Sequence, residues 1–294
     1  MLKHWMFDPA YKNLNHGSFG AHPIPVRDAQ RAYMDLADKR PDPYIRRYHA
    51  EHLDKARDAV AKIINAQKSE CVFVKNATTG VATVLYNLAF RPGEALIYFE
   101  VVYGAVEKGV VSLQENSSLQ ARKVSFQFPI AEDELVRRFL EVIRQTREEG
   151  LKVRASVFDA IVSNPGVRFP FERITAICRE EGILSVIDAA HGIGHIHLDM
   201  KKLQPDFFVS NCHKYDYSHY ETTYFGLEKG YKLTLNTNPF SSDGSTHPAA
   251  AQFSTPPHVT NISCAPPCQH HGDLSLAQTP QRQLLQFCKT PMPQ

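Results

Sequence analysis

From Cys71 to Asn211 the chain repeats one pattern: a short apolar run rich in β-formers, a polar break, then a stretch with helical periodicity. "CVFVKN" precedes a helix expected at about 79–90, and "EALIYF" one at about 104–115. "ARKVSFQF" precedes 131–149, "ASVFDAIVS" precedes 170–182, and "ILSVID" leads to a short turn near 199–203, with "DFFVSN" closing the series. A strand that is apolar along its whole length has no face to give to water. Such strands alternating with helices predict an α/β fold, a mainly parallel sheet sandwiched by helices on both sides.

Two more helices are expected upstream, at about 26–39 and 44–65. In the second, Ile45, Tyr48, His52, Ala56, Ala59 and Ile63 recur at helical spacing. Residues 1–25, punctuated by Gly and Pro, read as an extended N-terminal arm, and 26–230 as the large domain. The texture then changes. From Asn236 onward nine prolines fall among Ser, Thr, Gln and His without sustained periodicity. Too little apolar surface is available there to offset ordering entropy, so 236–294 is expected to be a mostly disordered tail.

Charge and cysteine usage exclude several classes. The net charge of +2 is spread along the chain, which does not suit nucleic-acid binding. No apolar stretch is long enough to span a bilayer, and the opening "MLKHWMFDPAYKNLNHG" lacks the apolar core of a signal peptide. Six cysteines, widely spaced apart from Cys264 and Cys268, suit free thiols in a reducing compartment, so a cytoplasmic protein is expected. No metal is expected. His191, His195 and His197 lack the i, i+4 spacing with an intervening Glu, and Cys264, Cys268, His270 and His271 have no second pair at zinc-finger spacing.

In an open α/β sheet ligands bind beyond the carboxyl ends of the strands. Four polar clusters fall there: "NATTG" (76–80), "VVYGA" (101–105), "DAAHGIGH" (188–195) and "SNCHK" (210–214). Backbone N–H groups at the start of a helix, with the hydroxyl of Thr78 or Thr79, suit a phosphate. Taken singly, that cluster is also an ordinary helix cap. Asp188 ends an apolar strand, where a buried carboxylate needs a cationic partner. Tyr103 suits stacking on an aromatic ring, or plain packing. Lys214, partly desolvated at a sheet edge, suits a nucleophilic amine, although a loop lysine is more commonly a solvated charge. Ser210 and His213 stand beside it as donors for a phosphate.

These clusters, in this order, resemble the fold-type-I enzymes that use pyridoxal 5′-phosphate, within the class V aminotransferase group. The resemblance is nearest to proteins like isopenicillin N epimerase and hercynylcysteine sulfoxide lyase. It rests on "NLNHGSFGAHP" (13–23), "NATTG", "YGA", "SNPGVRFPFE" (163–172) and "DAAHGIGHIHLDMKKLQPDFFVSNCHK" (188–214). It implies that Lys214 bonds covalently to the coenzyme, that Asp188 pairs with its ring nitrogen, and that Tyr103 stacks on the ring. It further implies that Ala77, Thr78, Ser210 and His213 hold the phosphate, that His191 lies beside the ring, and that Asn15 and His16 lie near the substrate. The implied activity is C–S lysis by β-elimination, or epimerisation, of an amino acid, by a homodimer.

After Lys214 the group continues through an aromatic residue and a Pro-Arg-Gly turn into an antiparallel strand. Here Tyr215 keeps the aromatic residue, the turn is missing, and "TTYFGL" (222–227) offers a seventh strand. The small C-terminal domain, whose arginine binds the substrate carboxylate in the group, is replaced by the proline-rich stretch. The expectation is therefore an enzyme shortened at its C-terminus. The alternative is a catalytically impaired coenzyme-binding paralogue that acts through protein–protein contact.

Overall fold

The computed structural model describes residues 2–214 and the strand Thr223–Leu227. The stretch 236–294, expected to be disordered, lies outside the described residues, as does Tyr215.

Seven strands form one sheet: β1 (Cys71–Val74), β2 (Glu94–Phe99), β3 (Gln120–Val124), β4 (Lys152–Asp159), β5 (Leu184–Asp188), β6 (Phe207–Asn211) and β7 (Thr223–Leu227). Their order is β1-β7-β6-β5-β4-β2-β3. From β6 through β3 every pairing is parallel, while β7 runs antiparallel to both β6 and β1. The mainly parallel, seven-stranded sheet read from the sequence is thus present. Burial follows composition: all six residues of "EALIYF" in central β2 are buried, whereas "QARKV" at the β3 edge is buried only at Val124.

The helices are α1 (His16–Phe19), α2 (Ile24–Lys39), α3 (Pro41–Pro43), α4 (His49–Ile63), α5 (Ala77–Asn87), α6 (Gly104–Asn116), α7 (Glu132–Glu148), α8 (Phe171–Glu180) and α9 (Met200–Leu203). Crossovers from β1 to β2 and from β2 to β3 run one way across the sheet, and those from β3 to β6 run back. Right-handed crossovers then put α5 and α6 on one face and α7 to α9 on the other. Packing agrees, with α5 against α6 and α8 against α9. On α7, Leu135, Phe139, Ile143 and Thr146 are buried at helical spacing, and Glu134, Arg137 and Arg138 pair on the outer side. Phe139 meets Phe99 of β2 at 5.3 Å between ring centroids, and Phe99 also contacts Phe158 and Phe169. This aromatic group fixes α7 to the β4–β2–β3 side of the sheet.

Two expectations need correction. The arm is not simply extended, because it carries a 3-10 turn at Leu2–His4 and the turn α1. In the second upstream helix, Ile45, Tyr48, Ala56, Ala59 and Ile63 face outward, while Tyr44, Val60, Ala61 and Ile64 are buried. The helical period was legible, but its phase was not. A π-helical turn at Tyr44–Tyr48 lies between α3 and α4. Such a turn adds a residue and shifts the register of any stripe that crosses it. Among the described residues no helix is long and apolar enough to cross a membrane.

Candidate active site

The chain leaves β2 to one side for β3 and returns on its other side as β4, so the strand order reverses there. The carboxyl ends of β2, β4, β5 and β6 open at one edge, where such folds place their ligands. A cavity of about 260 Å³ lies at these ends. That is close to the lower bound of about 300 Å³ for small-molecule sites. Its wall is built from the strand ends Asp159, Asp188 and Asn211, the turns holding His191, His213 and Lys214, the start of α5, Tyr103 ahead of α6, and Ser18 and Phe19 of α1.

Lys214 is only 9% exposed, and its Nζ lies 3.1 Å from His191 Nε2. Burial pushes the Lys214 ammonium below its usual range, and the charge of Asp188 partly restores it. His191 is held down at about 4, first by burial and then by the positive charges of Lys214 and His195. The neutral imidazole is thus placed to accept a hydrogen bond from the Lys214 amine. Asp188, 5% exposed, accepts the Ala190 N–H at 3.0 Å. Burial pushes the Asp188 carboxyl above the ordinary carboxylate range, and the Ala190 N–H and the charge of Lys214 pull it back.

The start of α5 opens on the cavity through Asn76, Ala77 and Thr78. Asn76 caps it by accepting the Thr79 N–H at 2.8 Å and the Thr79 hydroxyl at 3.0 Å. Ala77 N–H donates to Asn211 Oδ1 at 3.1 Å. Thr79 is thereby committed to the cap, and Thr78 is left at the cavity, with no hydrogen bond of its side chain among the described residues. Gly80, the last residue of "NATTG", lets the helix press on the sheet: a Cβ there would come 2.7 Å from Val209 Cγ1. The arm is held as closely. Gly20 has φ 74, and a Cβ there would lie 1.9 Å from the His213 carbonyl oxygen. Only a glycine lets Ser18 and Phe19 rest beside the Lys214 turn.

Of the residues singled out in the sequence, Ala77, Thr78, Tyr103, Asp188, His191, His213 and Lys214 all line the cavity. Three do not. Ser210 is fully buried, its hydroxyl donating to Ala189 O at 2.6 Å and accepting from Ile193 N–H at 3.1 Å. Neighbouring strand residues face opposite sides, so Asn211 takes the place expected for Ser210. Asn15 is exposed, and His16 sets its ring edge-on to Trp5 at 5.6 Å. It is Ser18 and Phe19, from the same motif, that reach the cavity. Asp159 and Ser163 were not singled out as site residues, and Asn76 was read only as part of the "NATTG" cluster. Asp159 ends an apolar strand just as Asp188 does, and that was the available signal.

The fold and the site together define a doubly wound α/β protein whose ligand cavity is furnished with a buried lysine and carboxylates. Residues 39–217 match the family model Aminotransferase class-V, and the chain belongs to that family. It is 39% identical over 215 residues to the L-cysteine desulfhydrase-like protein lolT2 of Epichloe uncinata, covering 73% of this chain and 46% of that protein. With the hercynylcysteine sulfoxide lyase of Schizosaccharomyces pombe it shares 31% identity over 215 residues, 73% of this chain and 54% of the relative. The chain thus spans about half the length of these relatives. Among solved structures, the cystine C–S lyase C-DES in complex with its product cysteine persulfide superposes with a TM-score of 0.62. That match is 19% identical and covers 72% of this chain and 56% of the other, which establishes the shared fold.

Proposed function

We propose that this chain binds pyridoxal 5′-phosphate in the cavity and acts on an amino-acid substrate, cleaving a carbon–sulfur bond by β-elimination. The carrying observation is that a buried amine, Lys214, and a buried carboxylate, Asp188, line one cavity with the N-terminus of α5.

The residues fit the coenzyme. The Thr78 side chain and the first turn of α5 suit its phosphate. Asp188 suits a protonated ring nitrogen, because a buried carboxylate at this depth needs a cation. Tyr103, half exposed at the rim, offers an aromatic face, and His213 adds a polar side chain. When bound, the coenzyme supplies a ring that takes up the electron pair released at the substrate α-carbon.

The chain's own residues do the rest. Asp188 keeps the ring nitrogen's proton in place. Lys214, its basicity lowered by burial, would hold the coenzyme through its amine and serve as the base that moves the α-proton. His191 stays neutral above about 4 and can accept a hydrogen bond from the lysine. Ser18 and Phe19 wall the cavity on the arm side. Identity to desulfhydrase-like and lyase relatives, 39% and 31%, exceeds the 27% to the isopenicillin N epimerase of Amycolatopsis lactamdurans, which favours lysis over epimerisation.

Residues 26–230 serve in this account as the coenzyme-binding domain, with 1–25 as its arm. The homodimer belongs to the same proposal. Helix α2 has no buried residue, and Tyr33, Met34, Leu36, Ile45 and Tyr48 are exposed, a face suited to a second copy. A cytoplasmic location suits Cys71, Cys178 and Cys212, which form no disulfide among the described residues. The test is incubation of the purified chain and coenzyme with cysteine and with cysteine S-conjugates, measuring pyruvate and released thiol or sulfide. Equimolar pyruvate and sulfur product from wild type, and none from Lys214→Ala, is the expected result. A coenzyme-loaded chain that releases neither product overturns the lyase assignment.

A further inference from the structure

Asp159, at the end of β4, stands in register with Asp188, at the end of β5. Paired residues of neighbouring strands project to the same side of a sheet. Both carboxyls line the cavity, and they are 4% and 5% exposed. Their surroundings differ. Asp188 has the Ala190 N–H at 3.0 Å and the charge of Lys214 to support its ionised form. The Asp159 carboxyl makes no hydrogen bond or ion pair among the described residues. The titratable groups lining the cavity with it are Tyr103 ahead of α6, Asp188 on β5, His191 after β5, and His213 and Lys214 after β6.

Two adjacent buried carboxylates repel, and a single nearby ammonium cannot satisfy both. We infer that Asp159 and Asp188 hold one proton between them at neutral pH, with Asp159 as the protonated member, so that the cavity offers one negative charge and, next to it, one carboxylic O–H donor. Burial, followed by the charge of Asp188, pushes the Asp159 carboxyl well above the ordinary carboxylate range, which agrees with this assignment. For the bound coenzyme the consequence rests on the function proposed above. A ring cation would meet a single counter-charge, and an oxygen acceptor of the ligand would meet a donor instead of a second repelling anion. No residue motif flagged Asp159, because the role comes from its register with Asp188.

The proton can be observed directly in the unloaded full chain. Infrared spectra of protein labelled with carbon-13 at the aspartate carboxyls should show a protonated carboxyl stretch at pH 7. That band should vanish in Asp159→Asn and persist in Asp188→Asn. Thermal unfolding against pH gives an independent reading. An acid whose folded value is raised destabilises the fold as pH climbs above its unfolded value of about 3.9. Wild type should therefore lose stability relative to Asp159→Asn as pH rises from about 4 to 8, and the two curves should converge in more acidic solution. Should Asp159→Asn not fold, Asp159→Ser serves in its place, and the wild-type band at pH 7 still decides whether the proton is present. Absence of that band, its loss in Asp188→Asn alone, or parallel stability curves overturns the inference. Both measurements use protein without coenzyme, so their failure would leave the coenzyme-binding proposal standing, and failure of coenzyme binding would leave this inference untouched.

Discussion

Lys214 Nζ stands 3.1 Å from His191 Nε2 within a cavity that also contains Asp188. The amine thus contacts a neutral imidazole and feels the charge of a buried carboxylate. Its freedom to lose a proton is set by burial on one side and by the charge of Asp188 on the other.

Replacing Asp188 tests the ring-nitrogen pairing. A charged hydrogen bond is worth about 1.5–3 kcal/mol, so Asp188→Asn should weaken coenzyme binding roughly ten- to a hundredfold. Fluorescence or absorbance titration of the chain with pyridoxal 5′-phosphate measures this. An unchanged affinity would mean that Asp188 does not face the ring nitrogen.

His191 gives a pH signature of opposite sign to that of Asp159. Its folded value of about 4 lies below the unfolded value of about 6.5, so the folded chain favours the neutral ring. The stability this contributes is fully present above about 6.5 and is lost as pH falls toward 4. His191→Gln should flatten the acid side of the stability curve of the unloaded chain, read by thermal unfolding. Identical slopes for variant and wild type would contradict the burial of the imidazole.

Gly20 ties the arm to the lysine turn. Its φ of 74 and ψ of 170 lie in a region that is essentially restricted to glycine, and an added methyl meets the His213 carbonyl. Gly20→Ala should release the arm, raising its cleavage by protease and weakening coenzyme binding. Gly109→Ala is the control, because a Cβ there meets nothing within 4 Å on helix α6. Removing a helical glycine should stabilise the fold by about 0.5–1 kcal/mol. Equal protease sensitivity in the two variants would show that the arm is not anchored through Gly20.

Much of this architecture was legible in the residue pattern, because strands buried on both faces leave continuous apolar runs such as "EALIYF" and "ASVF". Position along the chain also placed the polar clusters at strand ends, which is enough to bring Thr78, Asp188 and Lys214 to one cavity. What failed was phase. One-residue choices decide which side chain of a strand end faces the cavity, so Asn211 stands where Ser210 was expected. The arm differs in the same way, since Ser18 and Phe19 line the cavity where Asn15 and His16 were expected. The outward stripe at Ile45, Tyr48 and Ile63 shows the same limit for a helix. Asp159 was missed for another reason: it ends an apolar strand as Asp188 does, but the pairing that gives it its environment, β4 with β5, joins residues distant in the chain.

The covalent role of Lys214 is the central claim, and borohydride reduction of the coenzyme-loaded chain tests it most directly. Peptide mapping after reduction should find the pyridoxyl group on Lys214, with the visible absorbance band lost on reduction, and Lys214→Ala should bind coenzyme without covalent trapping. Label on another lysine, or equal trapping in Lys214→Ala, would contradict the account.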